Sequence, residues 1–256
     1  AGREIAFLFS GFGNGSTDTA LRIYDVTNKS NIFQLGILRY PGRAYCHQGW
    51  LSEDKKYIYM NDEIDEGSTV ATTTLHIVNV EDLSNPTYAK AWTNGNTARD
   101  HNCYVNGNYL YAANYRSGLR IYDISDPENP SEVAWIDTYP ANDNNNGTGG
   151  FDGAWSSYPF FPSGNVIISD IQQGLIVVRP DLQSLSFELL GGLRHHPARR
   201  RRVRLLRDHR ERHHARSGLA RARHRTGRHH RDPRRRQRCE QRRQLRHAPA
   251  RLLRGL

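Results

Sequence analysis

Cysteine is scarce in this sequence, and its three cysteines form no recognisable motif. Cys46, Cys103 and Cys239 are widely separated, and no two of them make a C-x-x-C pair. A zinc finger or a dithiol redox centre would need such closely spaced pairs, so the sequence argues against both. We expect Cys46 and Cys103 to be ordinary buried thiols.

Long apolar runs and the common catalytic motifs are also absent from the sequence. No stretch approaches the roughly 18–20 apolar residues of a membrane-spanning helix, so no membrane span is expected. The motifs G-x-S-x-G, G-x-x-x-x-G-K-[ST] and H-E-x-x-H do not occur, which argues against the hydrolases and nucleotidases that carry them. No signal peptide precedes the strand-like residues 5–9, and we expect the chain to be truncated inside a repeat at its N-terminus.

Lysine is missing from the last part of the chain, where arginine is abundant. Residues 1–181 contain 12 Lys and Arg against 21 Asp and Glu, whereas residues 182–256 contain 24 Arg, no Lys and 5 acidic residues. The net charge of +10 is therefore the sum of an acidic part, residues 1–181, and a strongly basic part, residues 182–256. From this change we predict a repeat region over 1–181, a linker over 182–192 and an Arg/His-rich tail over 193–256.

The tail lacks the residue types from which folded domains are built. It has no Tyr, Trp, Ile or Asn and holds nine of the twelve histidines, so we expect it to be disordered or weakly helical. Arginine without lysine, accompanied by Ala, Pro, Gly, Leu and His, is what GC-rich DNA encodes when read out of frame. Our first hypothesis is therefore a frameshift near Gly192. The alternative is a genuine nucleic-acid-binding tail, whose arginines would contact phosphates with a steep salt dependence.

One strand-and-turn pattern recurs along the acidic part of the chain. Its clearest copy is residues 118–130, GLRIYDISDPENP, in which a mostly apolar strand ends in a turn rich in Asp, Ser and Pro. The equivalent leucines of the four copies are spaced by 54, 44 and 56 residues and are Leu21, Leu75, Leu119 and Leu175. Such a period indicates a repeat architecture.

Each repeat contains four predicted strands. A hairpin precedes the recurring strand, for example the hairpin with the turn Asn106-Gly107, and a partner strand follows the Pro-rich turn. Four short antiparallel strands over roughly 45–55 residues are typical of a β-propeller blade. We therefore predict an all-β fold, a partial β-propeller of about three to four four-stranded blades, followed by a disordered or weakly helical Arg-rich tail.

Three longer strings of the sequence resemble one bacterial family. They are YCHQGWLSEDKKYIYMNDE, DHNCYVNGNYLYAANYRSGLRIYDISDPENP and GAWSSYPFFPSGNVIISDIQQGLIVVRPD. In their order and spacing, over about residues 5–192, they resemble the choice-of-anchor B family, which is built from LVIVD-type β-propeller repeats. The resemblance implies a secreted or cell-surface protein, and hence an extracellular or cell-surface location. It supplies no catalytic residues, because the family has no established activity.

Polar residues recur at one position of three successive repeats. His47, His101 and Asp152 each lie at the start of the first strand of a repeat. If that strand is the innermost of its blade, the three side chains converge at one mouth of the propeller channel. They would then form a ligand site or bind a divalent transition metal, the one cofactor that the sequence suggests. The alternative is that each residue is structural, capping a strand or bonding a neighbouring blade.

Aromatic residues recur at a second position of the same strands. Trp50, Tyr104 and Trp155 each follow the His/Asp position by three residues. They are candidate ligand-binding residues, and packing between blades is the alternative. Asn114 and Arg116, which follow the second strand of a repeat, complete the predicted ligand-binding set together with the His/Asp position.

A run of acidic residues follows the strand predicted over 57–60. It includes Asp62, Glu63, Asp65 and Glu66, which could bind calcium, but the spacing is not that of an EF-hand loop. We therefore expect a solvent-exposed acidic loop.

These features favour a non-enzymatic exported or cell-surface β-propeller scaffold that binds a protein or glycan partner at one propeller face. Loops on a rigid scaffold commonly carry recognition, which supports this interpretation. The alternative is a metal-dependent enzyme with its site at the channel mouth, built from His47, His101 and Asp152. Nucleic-acid binding through residues 193–256 is a third hypothesis, which applies only if the tail is genuine.

Overall fold

The computed structural model of the chain describes residues 2–12, 18–140, 150–182 and 186–192. All of these residues belong to the first compact unit of the chain. The predicted Arg/His-rich tail over 193–256 lies outside the described residues, so its disorder or weak helix stays a prediction.

The described residues form fifteen β-strands and no α-helix. The strands make four antiparallel sheets, each built from consecutive strands. The first sheet contains β1 Ile5–Ser10, β2 Ala20–Asp25 and β3 Phe33–Leu38. The second contains β4 Cys46–Leu51, β5 Tyr57–Asp62, β6 Leu75–Asn79 and β7 Thr87–Trp92. The third contains β8 Asn102–Asn106, β9 Tyr109–Ala113, β10 Leu119–Asp123 and β11 Ser131–Ile136. The fourth contains β12 Ala154–Tyr158, β13 Val166–Asp170, β14 Gly174–Asp181 and β15 Ser186–Gly192. No described segment is a helix with the length and apolar character needed to cross a membrane.

The recurring strands of the sequence are β2, β6, β10 and β14, the next-to-last strand of each sheet. Three of them end in the same side-chain turn, because Asp25, Asn79 and Asp123 each accept a hydrogen bond from the backbone N–H two residues further on, at 2.9, 3.0 and 2.8 Å. Such a local bond offers the backbone an alternative to the sheet ladder and so ends the strand. All four strands also shift register against their outer partner at one equivalent residue, namely Ile23, Ile77, Ile121 and Val177. The four sheets are therefore copies of one structural unit.

Successive sheets pack face to face, and each interface has its own apolar core. Side chains alternate between the two faces of a strand. Ile58 and Met60 of β5 accordingly lie in the core against the first sheet, whereas Tyr59 lies in the core against the third. The three cores are represented by Leu21, Ile23, Ile58 and Met60, by Tyr59, Ile77, Val105 and Leu110, and by Leu119, Ile121, Ile168 and Val178.

The first strands of the second, third and fourth sheets lie innermost. Strand β8 contacts both β4 and β12, so it lies between two strands that belong to different sheets. Each also contacts the second strand of the preceding sheet, since β8 contacts β5 and β12 contacts β9. Strand β4 contacts β1 in the same way, so β1 corresponds to the second strand of the repeat. The side chains at the start of β4, β8 and β12 are thus brought to one end of a shared central surface.

The predicted fold is confirmed, since three sheets have four strands and the first has three. The structure differs from the predicted linker over 182–192, because Ser186–Gly192 forms β15 and pairs with β14. This pairing satisfies backbone N–H and C=O groups that β14 would otherwise present at an open edge. The sequence gives little indication of β15. The fourth repeat has Arg179 at the position where two other repeats have the Asp that ends the recurring strand.

Candidate functional site on the innermost strands

Two of the three predicted polar residues, His47 and His101, lie side by side. His47 lies in β4 at a register shift between Cys46 and Gln48, and a β-bulge of this kind re-aims the side chain of the extra residue. His101 immediately precedes β8, where its backbone N–H donates to the carbonyl oxygen of Ala113 at 3.1 Å. The Nε2 atoms of the two imidazoles are 3.0 Å apart. Two neighbouring sheets therefore bring two histidines into direct contact.

The third member of this group is Glu63, from the loop that follows β5. Its Oε2 lies 3.6 Å from Nδ1 of His47, and its Oε1 lies 3.6 Å from Nε2 of His101. One ligand atom from each of the three residues lies within 4.8 Å of the other two. Within the part of the chain that the structure describes, no other three His, Cys, Asp or Glu side chains come so close together. We call His47, Glu63 and His101 the histidine–glutamate cluster.

Hydrogen bonds from neighbouring elements hold the histidine–glutamate cluster in place. Nδ1 of His101 lies 2.5 Å from the carbonyl oxygen of Trp155 in β12, and a carbonyl only accepts, so this nitrogen carries the proton. The Tyr115 hydroxyl donates to Oε1 of Glu63 at 2.5 Å. The Arg99 guanidinium donates to the backbone carbonyl of Glu63 at 3.0 Å. The cluster is thus supported by residues from the second, third and fourth sheets.

The histidine–glutamate cluster is open to solvent on one side. The side chain of His47 is 25% exposed, whereas those of Glu63 and His101 are 15% and 5% exposed. Burial lowers the pKa of His101 to about 4; the hydrogen bond to the Trp155 carbonyl opposes this shift, and the charge of His47 adds to it. At neutral pH His101 is therefore a neutral imidazole, with its Nε2 lone pair facing the other two members of the cluster.

Asp152 does not join the two histidines. Its Oδ2 accepts hydrogen bonds from Nε and Nη2 of Arg116 at 2.9 and 2.5 Å, and its Oδ1 accepts from Nε2 of Gln172 at 2.8 Å. Asn114 is buried, and its backbone N–H donates to the carbonyl oxygen of Gly118 within a turn. The predicted grouping of Asp152 with the histidines therefore differs from the structure. The register shift of β12 lies at Trp155, between Ala154 and Ser156, as that of β4 lies at His47. Trp155 thus holds the position equivalent to His47, while Asp152 precedes β12 and pairs with Arg116.

The acidic loop after β5 is buried, so the predicted solvent-exposed loop is wrong. Asp62 and Asp65 are fully buried, and Glu66 is 1% exposed. The sequence does contain a signal for the position of Glu63. Strands β4 and β5 form an antiparallel hairpin in which Cys46 pairs with Asp62, so residues after the second strand lie at the same end as residues at the start of the first. The hairpin prediction alone thus places Glu63 near the histidine position.

The burial of this loop depends on protonated carboxyl groups. Asp65 Oδ2 lies 2.9 Å from Nε2 of His76. Burial and the charge of Asp62 raise the pKa of Asp65 to about 8, and burial lowers the pKa of His76 to about 4. Between about pH 4 and pH 8 the carboxyl group of Asp65 is therefore protonated and the imidazole of His76 is neutral, so the pair has no net charge. Burial and the neighbouring Asp65 raise the pKa of Glu66 to about 9, and burial raises the pKa of Asp100 well above its ordinary value.

The aromatic residues predicted to bind a ligand lie on the same innermost strands. Trp50 and Trp155 are 38% and 50% exposed. The Tyr104 ring packs edge-on against Trp50 with centroids 5.1 Å apart, and Phe160 lies 5.7 Å from Trp50 and 6.2 Å from Tyr104. Trp155 stacks on His101 at 5.5 Å. We call Trp50, Tyr104, Trp155 and Phe160 the inner aromatic row, which lies directly beside the histidine–glutamate cluster.

The fold and the site together define the class of this chain. Successive antiparallel sheets that pack face to face, with their first strands at the centre, are the architecture of a β-propeller. The family model of the LVIVD repeat matches residues 101–138. This match spans strands β8 to β11, so it corresponds to the third sheet.

Two of the solved structures that are similar to this chain are a gluconolactonase and a hydrazine synthase. The periplasmic gluconolactonase PpgL of Pseudomonas aeruginosa has a TM-score of 0.54 and 15% sequence identity, over 76% of this chain and 55% of that chain. The chain therefore spans 55% of the length of that protein. Hydrazine synthase of Kuenenia stuttgartiensis has a TM-score of 0.46 and 10% identity, over 68% of this chain and 42% of that chain. The gluconolactonase likeness, at 15% identity, shows the fold alone. No curated protein sequence matches this chain.

Proposed function

We propose that this β-propeller is a non-enzymatic binding protein that takes a glycan against the inner aromatic row. One observation carries the proposal. The two tryptophans of the row are exposed, and both lie on innermost strands.

The other two tryptophans of the chain have a structural environment. Trp92 packs edge-on against Tyr122 at 4.9 Å, beside the core between the second and third sheets. Trp135 lies under the guanidinium of Arg120, whose carbon is 4.6 Å from the ring centroid. Packing within and between blades therefore accounts for Trp92 and Trp135, which lie on the outer strands. It does not account for the exposed rings on β4 and β12.

The inner aromatic row has the chemistry that sugar rings need. Exposed apolar faces of large rings mark binding sites when they are contiguous, as Trp50, Tyr104 and Phe160 are, and a pyranose presents flat C–H faces that pack on such rings. Hydroxyl groups lie beside them, since Tyr104 Oη and Ser156 Oγ are 3.1 Å apart and either can donate. Aromatic rings combined with hydrogen-bonding hydroxyls can therefore contact both faces and hydroxyl groups of a saccharide.

Membership of the choice-of-anchor B family and an extracellular or cell-surface location are part of this proposal. Both rest on the resemblance of the three sequence strings. The LVIVD repeat match over residues 101–138 supports the repeat type of that family. A surface-exposed or secreted protein would meet glycans in its ordinary environment. A protein partner at the same row is the alternative if no oligosaccharide is retained in the test below.

A metal-dependent enzyme is the second candidate function, and the histidine–glutamate cluster is the observation that favours it. Two imidazoles and a carboxylate with one solvent-facing side are a donor set that catalytic metal sites use. The gluconolactonase likeness, at 15% identity, adds nothing about the activity of this chain.

The glycan proposal is tested by measuring retention of the whole chain on a panel of immobilised oligosaccharides. We expect at least one to be retained, and we expect Trp50→Ala and Trp155→Ala each to weaken its binding at least tenfold, or about 1.4 kcal/mol, because each removes an aromatic anchor.

The matched control for this test is Phe33→Ala. Phe33 is an equally exposed ring at 49%, but it lies on β3 away from the row, so its removal should leave retention unchanged. The glycan proposal is wrong if no oligosaccharide is retained, or if both tryptophan variants bind as tightly as the unaltered chain.

A further inference from the structure

We propose that His47, Glu63 and His101 bind a divalent transition-metal ion, with zinc the best match to the donor set, and leave one coordination position open to solvent. This inference goes beyond the glycan proposal and does not depend on it. It also differs from the grouping that the repeat pattern suggests, because Glu63 takes the place of Asp152.

The spacing of the three side chains suits a tetrahedral ion. Zinc–nitrogen distances of about 2.0–2.1 Å place two tetrahedral ligand atoms roughly 3.3 Å apart. The distance between the two Nε2 atoms is 3.0 Å, and the distance from Nε2 of His101 to Oε1 of Glu63 is 3.6 Å. Both distances lie close to the tetrahedral value. The carboxylate of Glu63 lies 3.6 Å from Nδ1 of His47, so a rotation of His47 or Glu63 has to bring Nε2 of His47 and the carboxylate to the same ion.

The hydrogen bonds of His101 direct the correct nitrogen at the ion. Its Nδ1 donates to the carbonyl oxygen of Trp155, so in the neutral ring the lone pair is on Nε2. That lone pair faces Nε2 of His47. A histidine that binds a metal commonly donates its other ring N–H to a carbonyl or carboxylate, which fixes both the tautomer and the ring orientation. The contact with Trp155 gives His101 this arrangement.

Glu63 is oriented by a residue whose backbone is unusual. The Tyr115 hydroxyl donates to Oε1 of Glu63, and Tyr115 has a φ of 39°, in the left-handed region that non-glycine residues rarely adopt. Reciprocal backbone hydrogen bonds between Tyr115 and Ala154 hold this conformation against β12. Tyr115 is therefore a positioning residue, which aims the carboxylate at the two histidines.

The donor set selects the type of metal. Imidazole nitrogen is a good ligand for Zn²⁺, Cu²⁺ and Ni²⁺, whereas Ca²⁺ and Mg²⁺ take oxygen ligands. Two nitrogens and one carboxylate therefore favour a transition metal over calcium. The exposed edge of His47 leaves space for a fourth ligand from solvent, and the ring of Trp155 stacks on His101 beside that opening.

The test is calorimetric titration of Zn²⁺ into the metal-free whole chain near neutral pH, with Co²⁺ absorption as a spectroscopic probe of tetrahedral nitrogen and oxygen ligands. We expect one tight equivalent. Glu63→Gln, His47→Ala and His101→Ala should each weaken it at least tenfold and abolish the tetrahedral Co²⁺ spectrum. Tyr115→Phe should weaken it by roughly tenfold, as is usual for the loss of a group that orients a ligand.

Two variants serve as controls in the same titration. The double variant His195→Ala/His196→Ala removes a histidine pair from the His-rich residues 193–256 and should leave the tight equivalent intact. Asp152→Asn should also leave it intact, because Asp152 is paired with Arg116. Circular dichroism establishes whether each variant is folded. If His101→Ala does not fold, the zinc affinities of Glu63→Gln and His47→Ala test the proposal.

The proposal is overturned if the chain binds no tight equivalent, or if Glu63→Gln and His47→Ala bind zinc as the unaltered chain does. It is equally overturned if the tight equivalent disappears in the His195→Ala/His196→Ala variant or in Asp152→Asn, since the ion would then be held by other residues.

Discussion

At the scale of single residues, Glu66 gives this protein a pH dependence that can be measured. Glu66 is 1% exposed, and burial together with Asp65 raises its pKa to about 9 from an ordinary value of 4.5. In the unfolded chain the carboxyl group loses its proton near pH 4.5, whereas the folded protein keeps it up to about pH 9. The contribution of Glu66 to stability is therefore complete below pH 4.5 and is lost as the pH rises through 9.

The variant Glu66→Gln tests this assignment, because the amide is neutral at every pH. We expect the free energy of unfolding of the unaltered chain to fall between pH 6 and pH 9 by up to about 1.4 kcal/mol per pH unit for this proton. The variant should show a smaller fall over the same range. Urea unfolding at a series of pH values measures the difference.

A conservative change at an exposed acid serves as the control for Glu66. Glu81 is exposed, and Lys56 lowers its pKa, so Glu81→Gln should leave the slope between pH 6 and pH 9 unaltered. Parallel curves for the unaltered chain and Glu66→Gln would contradict the view that Glu66 is buried in its protonated form.

Residue identities predicted the site only in part, and the physical reason is clear for each member. The repeat pattern predicted that His47 and His101 share one end of the propeller, because equivalent positions of a repeat lie in equivalent places. It predicted the same for Asp152, but the register of β12 puts Trp155 at the equivalent position, and Asp152 pairs with Arg116 instead. Glu63 lies 16 residues from His47 and 38 from His101, and only the folding of its loop onto the inner strands brings it to them.

At the scale of elements, the residues in turns predict the secondary structure most strongly. Two glycines show how much one turn can depend on a single residue. Gly107 and Gly118 both have positive φ, of 61° and 77°. A Cβ at Gly107 would meet nothing within 4 Å, whereas a Cβ at Gly118 would lie 2.0 Å from the carbonyl oxygen of Ile136 on β11. Only the second glycine is therefore required by both conformation and space.

Gly118→Ala should destabilise the protein by about 3 kcal/mol, of which about 1 kcal/mol is the cost of the left-handed conformation and the rest is steric displacement of β11. Gly107→Ala provides the matched control and should cost only about 1 kcal/mol. Chemical denaturation of the two variants measures both values. Equal losses would show that the approach of β11 to Gly118 is not as close as the structure gives it.

A strand could be predicted from the sequence where neighbouring residues in the chain bring that strand to an end. Asp25 and Asp123 bond the backbone ahead of them, and Asn106-Gly107 forms a tight turn, so these hairpins follow from neighbouring residues. Strand β15 lacks such a signal and exists because β14 offers it an edge. The bulge at His47 is equally invisible in the sequence, since it depends on how β4 meets β5.

At the scale of the whole first unit, the candidate site joins elements that the chain order keeps apart. His47 belongs to the second sheet, His101 adjoins the third, and the carbonyl of Trp155 belongs to the fourth. A propeller makes this possible because its innermost strands neighbour one another while the outer strands diverge. Each pair of successive repeats buries its own interface, but the repeats share one central surface. The histidine–glutamate cluster and the inner aromatic row both lie on this surface.

The most direct measurement is an anomalous difference map from crystals of the whole chain grown with zinc and recorded at the zinc absorption edge. We predict one strong peak about 2.0–2.2 Å from Nε2 of His47, Nε2 of His101 and a carboxylate oxygen of Glu63. The account is contradicted if the map has no peak there and the two Nε2 atoms remain in direct hydrogen-bonding contact.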